Sequence, residues 1–309
     1  MNILIVGLGS IAEKHIDSLK SLDMNVNFYA LRSDLSAKKR KDVINVFDLK
    51  SLKVRLDFAI ISNPTNLHKK FIDLLIDLEI DLFIEKPPME TLKGTEELIL
   101  KIKKKKINTY VACNLRFHPC IVFLKEYTNK SRKINEVNIY CGSYLPHWRP
   151  EKDFRQVYSA IPEMGGGVHL DLFHELDYAH WLFGKPIKSK SIRRTVSTLN
   201  IPAIDYANYV LEYEEFSVSV ILNYYRADSK RTIEILFENE TLIIDLIKGT
   251  IINHEGKVIF QEKDFLMVDT YKKQMHFFVE NFKKNQIQMN TFANSIEVLK
   301  TCLSGEITK

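Results

Sequence analysis

The sequence predicts an α/β chain in two parts: a doubly wound parallel sheet, then an α+β domain with a large, mostly antiparallel sheet. Three observations carry this. Over the first 119 residues, short apolar runs alternate with helical stretches. Beyond that point, strand-like runs follow one another with only turn signals between them. The 309 residues amount to about two domains at roughly 150 each. The expected division is therefore 1–119 and 120–309.

The elements follow in order. Residues 2–6 form an apolar run that ends at Gly7, and residues 10–22 read as a helix. Strands are expected at 26–30, 44–47, 57–61, 81–84 and 109–113. Helices are expected at 65–78 and 91–106, the first with apolar side chains at Leu67, Phe71, Leu74, Leu75 and Leu78. The lysines 103–106 fall in the last helical turn, where cations oppose the helix dipole, so they read as a solvated helix end. In the second half, 121–127 reads as a helix. Strands are expected at 136–142, 187–196, 206–213, 216–225, 232–238, 241–246, 250–253 and 257–260. Helices at 271–282 and 291–304 close the chain. One face of so wide a sheet needs helices over it. The other is expected to pair with a second copy, giving a homodimer or homotetramer, because an open sheet of this width invites association.

Composition excludes several classes. The chain is 45% hydrophobic and 27% charged, with 11 glycines and 9 prolines, so it is neither collagen-like nor low in complexity. A net charge of +5, from 44 basic and 39 acidic residues, is too small to mark a nucleic-acid or membrane partner. The four cysteines, at 113, 120, 141 and 302, form no CxxC pair and no metal-type spacing, so free buried thiols and no metal are expected. The apolar start runs straight into Gly7 and reads as a buried strand, not a signal peptide. No apolar run reaches the ~20 residues of a membrane span, and a cytoplasmic location is expected.

The chemistry concentrates where strands end. Gly7-Leu8-Gly9-Ser10-Ile11-Ala12 matches GxGxxG/A between a strand and a helix. Gly7 permits the tight turn, and Gly9 lets the backbone approach a pyrophosphate. The amides of Ser10 and Ile11 then face that group at the helix N-terminus. After the second strand comes Arg32-Ser33, with no carboxylate until Asp34. This favours NADP, whose 2′-phosphate a guanidinium and a hydroxyl can hold, with NAD as the alternative. Three segments close later strands: Asn63-Pro64-Thr65-Asn66-Leu67-His68, Glu85-Lys86-Pro87 and Asn114-Leu115-Arg116-Phe117-His118-Pro119. A further segment runs from Gly165-Gly166-Gly167 through His169, Asp171 and His174 to Asp177.

These motifs together resemble the Gfo/Idh/MocA oxidoreductase family, across nearly the whole chain. The resemblance implies an N-terminal Rossmann domain, a C-terminal sheet domain and hydride transfer between NAD(P) and a sugar or cyclitol. It implies Lys86 as the catalytic lysine and a cis bond before Pro87. Its one departure is spacing: Asp171 and His174 stand three apart where many members have four, which leaves open which of them reaches a substrate. His169 is a candidate outside that pattern.

The residues themselves support these roles. A carbinol that gives up hydride needs a base for its proton, and lysine serves when its surroundings lower its pKa. Lys86 is the expected base, with His174 and Asp171 assisting. Asn63, Pro64, His68, Glu85 and Asn114 are expected at the cofactor. Arg116, His118, His147, Trp148, Arg149, Arg155 and His169 are expected at the substrate, where a basic and aromatic set suits an anionic sugar. The Pro146-His147-Trp148-Arg149-Pro150 loop looks like that of members tied to bacterial surface sugars. A binding protein of the same fold that senses a dinucleotide without turnover is the alternative.

Overall fold

The computed structural model describes residues 1–32, 34, 40–128 and 132–308. In chain order the main elements are β1 (Asn2–Val6), α1 (Ser10–Lys20), β2 (Asn27–Leu31), β3 (Val43–Val46), β4 (Phe58–Ile61), α2 (His68–Asp77), β5 (Asp81–Glu85), α3 (Thr95–Lys105) and β6 (Thr109–Ala112). Then come α4 (Pro119–Thr128), β7 (Ile134–Tyr144), α5 (Val168–Asp171), α6 (Phe173–Phe183), β8 (Lys188–Arg194), β9 (Tyr206–Glu212), β10 (Ser217–Asn223) and β11 (Tyr225–Phe237). The chain closes with β12 (Thr241–Asp245), β13 (Thr250–Asn253), β14 (Val258–Gln261), α7 (Met267–Lys283), α8 (Phe292–Cys302) and β15 (Glu306–Thr308). Two compact units result: Met1–Asn114 with Met267–Leu299, and Leu115–Leu266 with Lys300–Lys309. No helix among the described residues is long and apolar enough to cross a membrane.

The first unit is a six-stranded sheet in the order β3-β2-β1-β4-β5-β6, all pairs parallel. The strand order reverses between β1 and β4, and the ligand crevice of such sheets lies at that switch point, outside the strands' carboxyl ends. β1, β4 and β5 are buried on both faces, as their unbroken apolar runs require. The expected block 120–309 does not stay together. α7 joins this first unit because Met275, Phe278 and Val279 enter its core. Phe278 sets its ring edge against Phe58 at 4.9 Å and Phe83 at 5.0 Å.

The second unit holds a nine-stranded sheet in the order β14-β13-β12-β11-β7-β10-β9-β8-β15. Its pairs are antiparallel except β7 with β10 and β8 with β15. Along β7, Val137, Ile139 and Cys141 are buried while Glu136 is exposed, which is the two-residue alternation of a sheet covered on one face. β11 begins at Tyr225, not at 232 as expected. The stretch Arg226-Ala227-Asp228-Ser229-Lys230-Arg231 has no apolar alternation to announce a strand. β15 is three residues long and left no pattern to read.

Sheet side chains also capture the end of the chain. Tyr209 Oη donates to the Cys302 carbonyl at 2.9 Å, Arg193 Nη2 to the Leu303 carbonyl at 3.0 Å, and Ser191 Oγ to the Ser304 carbonyl. The Cys302 carbonyl ends helix α8 and the other two follow it directly, so the guanidinium sits at the negative end of the helix dipole. All four cysteines are buried, and burial lifts the thiols of Cys120, Cys141 and Cys302 to about 12.

Candidate active site

The glycine turn has the form its sequence requires. Gly7 sits at φ 89°, and a Cβ there would lie 2.6 Å from the Asn63 backbone, so only glycine fits. Gly9 caps α1, no side chain satisfies the cap, and a Cβ on Gly9 would meet nothing. Ala12 is fully buried, letting α1 pack onto the sheet. Both amide atoms of Asn63 are buried without a hydrogen-bond partner beside this turn. Bare helix amides, open space over Gly9 and an orphaned amide fit a dinucleotide's pyrophosphate and its neighbouring groups.

The later strand ends support the turn. His68 is buried, with Nε2 3.0 Å from the Asn63 carbonyl and Nδ1 3.3 Å from the Pro88 carbonyl. The ring thus joins the loop after β4 to the loop after β5, and burial pushes its pKa down. Glu85 ends β5 with Oε1 2.5 Å from His15 Nε2, and its Oε2 accepts the Lys86 backbone N–H at 3.2 Å. Lys86 is half-buried, and its bond to Pro87 is cis. Asn114 Nδ2 donates to Thr270 Oγ1 at 2.6 Å, and Pro64 precedes a short turn that leads into α2. The Arg32 backbone N–H is taken by the Val46 carbonyl. Ser33 lies outside the described residues.

In the second unit, Arg116 and His118, expected at the substrate, have partners inside the fold. Arg116 is buried and makes a two-pronged pair with Asp177, Nε to Oδ2 at 2.8 Å and Nη2 to Oδ1 at 2.7 Å. His118 is fully buried. Its Nε2 donates to the Leu246 carbonyl at 2.9 Å, and its Nδ1 accepts the Cys120 N–H. These two side chains brace the fold, because the loop after β6 turns inward onto α6 and the sheet. His169 is also buried, its backbone carbonyl accepting the Cys302 thiol. Burial, with the Arg193 charge nearby, pushes its pKa down to about 3.

Asp171 and His174, three residues apart, lie on two different helices. Leu172 breaks the helix at φ −94°, ψ 34°, so Asp171 ends α5 while His174 lies in the first turn of α6. Asp171 Oδ2 accepts Tyr224 Oη at 2.5 Å, and the Tyr224 ring meets Trp148 edge-on at 5.4 Å. His174 is 9% exposed. Trp148 is partly exposed, its Nε1 donating to Ser143 Oγ, and His147, Arg149 and Arg155 are exposed. Gly166 has no room for a Cβ, which would strike the Tyr158 carbonyl.

No motif in the sequence marks His15, Tyr224 or the Glu175–Arg231 pair, whose Oε1–Nε distance is 2.6 Å. One signal was available. Glu175 and Asp177 stand in an otherwise largely apolar helix, and a carboxylate buried there needs a cationic partner. Among the described residues, no group of three or more His, Cys, Asp or Glu side chains could hold a metal.

The depressed His169 pKa has a measurable consequence. A free histidine takes up its proton near 6.5, whereas the folded ring does so only near 3. Across that window the unfolded chain therefore holds more protons. Stability from this group is present above about pH 6.5 and falls as pH drops, by up to about 1.4 kcal/mol per pH unit. His68 adds in the same direction. In urea titrations between pH 6 and 4, His169→Gln should flatten the slope by about one proton. An unchanged slope would mean that the folded ring titrates normally.

A parallel 3-2-1-4-5-6 sheet with a glycine turn, joined to a large mixed sheet, defines a dinucleotide-binding oxidoreductase architecture. The chain matches the oxidoreductase family with an NAD-binding Rossmann fold over residues 1–112, and the GFO/IDH/MocA C-terminal domain over residues 130–243. It belongs to the Gfo/Idh/MocA family. Myo-inositol 2-dehydrogenase of Thermotoga maritima is 22% identical, over 96% of this chain and 88% of its own length. Levoglucosan dehydrogenase, solved with NADH and levoglucosan, superposes with a TM-score of 0.83 at 14% identity, covering 98% of this chain and 95% of that one. Myo-inositol 2-dehydrogenase from Lactobacillus plantarum gives 0.79 at 19%, with the same coverage. At these identities the structural likeness is one of fold.

Proposed function

We propose that this protein is a sugar or polyol dehydrogenase that exchanges hydride between a CH–OH group and a nicotinamide dinucleotide. The observation that carries the reading is the bare N-terminus of α1 beside Gly7 and the orphaned Asn63 amide. Family membership and the sugar-type relatives support it. The bound nicotinamide supplies the hydride acceptor or donor. Lys86 takes the hydroxyl proton at Nζ, and His174 and Asp171 assist, with Tyr224 holding the Asp171 carboxylate in place. The substrate is anionic, its charge met by His147, Arg149 and Arg155, and it is consistent with bacterial surface-sugar metabolism. The open sheet face, with Val210, Ile192 and Ile243 exposed, pairs with a second copy in a homodimer or homotetramer.

NADP is the proposed cofactor, read by Arg32. Titration of both cofactors tests it. Arg32→Ala should weaken NADP binding about tenfold or more while NAD affinity holds, since one charge-assisted contact contributes roughly 1.5–3 kcal/mol. Equal NADP affinity in both proteins would remove Arg32 as the reader. A screen by nicotinamide absorbance then compares neutral polyols, uronic acids, nonulosonates and nucleotide-linked sugars. Reduction with none of them, in either direction, would favour the dinucleotide-sensing alternative.

A further inference from the structure

We infer that His15 is a positioning residue for Lys86, acting through Glu85. His15 is fully buried on α1, and its Nε2 lies 2.5 Å from Glu85 Oε1. A carboxylate only accepts, so the ring N–H donates to it. The other carboxylate oxygen accepts the Lys86 backbone N–H at 3.2 Å. The two contacts fix the Glu85 side chain at both oxygens. They thereby set the orientation of the peptide from which the Lys86 side chain departs.

The position of His15 on α1 gives this arrangement its use. The N-terminus of that helix is the seat proposed for the pyrophosphate, and His15 stands five residues beyond Ser10, about 7.5 Å along the axis. One rigid helix thus holds the dinucleotide at its start and the carboxylate behind Lys86 further along. Packing keeps the ring in place: it meets Phe83 edge-on at 4.9 Å and Tyr271 at 6.0 Å, with Lys14 over that tyrosine. A hydrophobic replacement would fill the space and lose the donor. Glutamine, whose amide N–H reaches about as far as Nε2, would keep it.

The inference rests on the reading of Lys86 as the base, and its test is separable from that reading. The full chain is labelled with trace acetic anhydride across a range of pH, and peptide mass spectrometry reads Lys86 against the other lysines. In His15→Leu the relative labelling of Lys86 should change about threefold or more, while His15→Gln stays within about twofold of the parent. On the sugar found by the screen, His15→Leu should lose about tenfold in kcat, as when an orienting partner is removed, with KM for the dinucleotide unchanged. Should the leucine variant fail to fold, His15→Asn is too short to reach the carboxylate and replaces it. A folded Leu or Asn variant with parental Lys86 labelling overturns the inference. Parental turnover in Lys86→Ala would overturn only the role of Lys86 as base.

Discussion

Lys86→Ala is expected to lower turnover by a factor on the order of 10²–10⁴, the range for losing a positioned acid–base group. The dinucleotide should bind the variant nearly as before, because the proposed pyrophosphate seat is the Gly7–Ala12 turn and not the β5 end. Lys86→Arg should not restore activity, since a guanidinium keeps its proton at any working pH. The measurement is kcat on the substrate found by the screen, with dinucleotide affinity taken separately by fluorescence titration. Near-parental kcat in the alanine variant would move the base to His174, which lies in the first turn of α6.

Most of the first unit was legible because its signals are local. β1, β4, β5 and β6 carry short apolar runs, at 3–6, 58–61, 82–84 and 110–112, and the glycine turn follows the first of them. The placement of α7 was not local. Its amphipathic pattern says that Met275, Phe278 and Val279 need a core, but not which one, and the chain returns to Phe58 and Phe83 after more than 150 intervening residues. The break at Leu172 was illegible for another reason. Residues 168–183 carry no Gly or Pro to mark the stop at Leu172, where ψ is 34°.

The candidate site divides in a similar way. Residues set by backbone geometry stood out, because Gly7 and Lys86-Pro87 carry their constraint in their identity. Residues set by pairing did not. Arg116 and His118 looked like substrate contacts because a cation after a strand end is ambiguous until its partner is known. Asp177 lies 61 residues away from Arg116 in sequence, and the Leu246 carbonyl 128 away from His118. His15 reads as one polar residue on the buried side of α1, and only its contact with Glu85 gives it a role.

The Arg116–Asp177 pair should dominate the stability of the second unit. Both side chains are buried and the contact is bidentate, so removing one partner strands a charge away from water. Asp177→Ala should therefore cost about 3–5 kcal/mol in urea unfolding, a large share of the ~5–15 kcal/mol that holds most domains folded. The double variant Arg116→Met with Asp177→Leu removes both charges and keeps apolar volume. It should recover more than half of that loss, because an intact buried pair contributes little beyond an apolar replacement. The same double variant asks whether Arg116 touches substrate. A guanidinium spent on Asp177 predicts an unchanged KM for the sugar once the protein is folded. A cost below about 1 kcal/mol for Asp177→Ala would place the pair in the range of solvated surface pairs. A KM raised tenfold in the stable double variant would return Arg116 to the substrate.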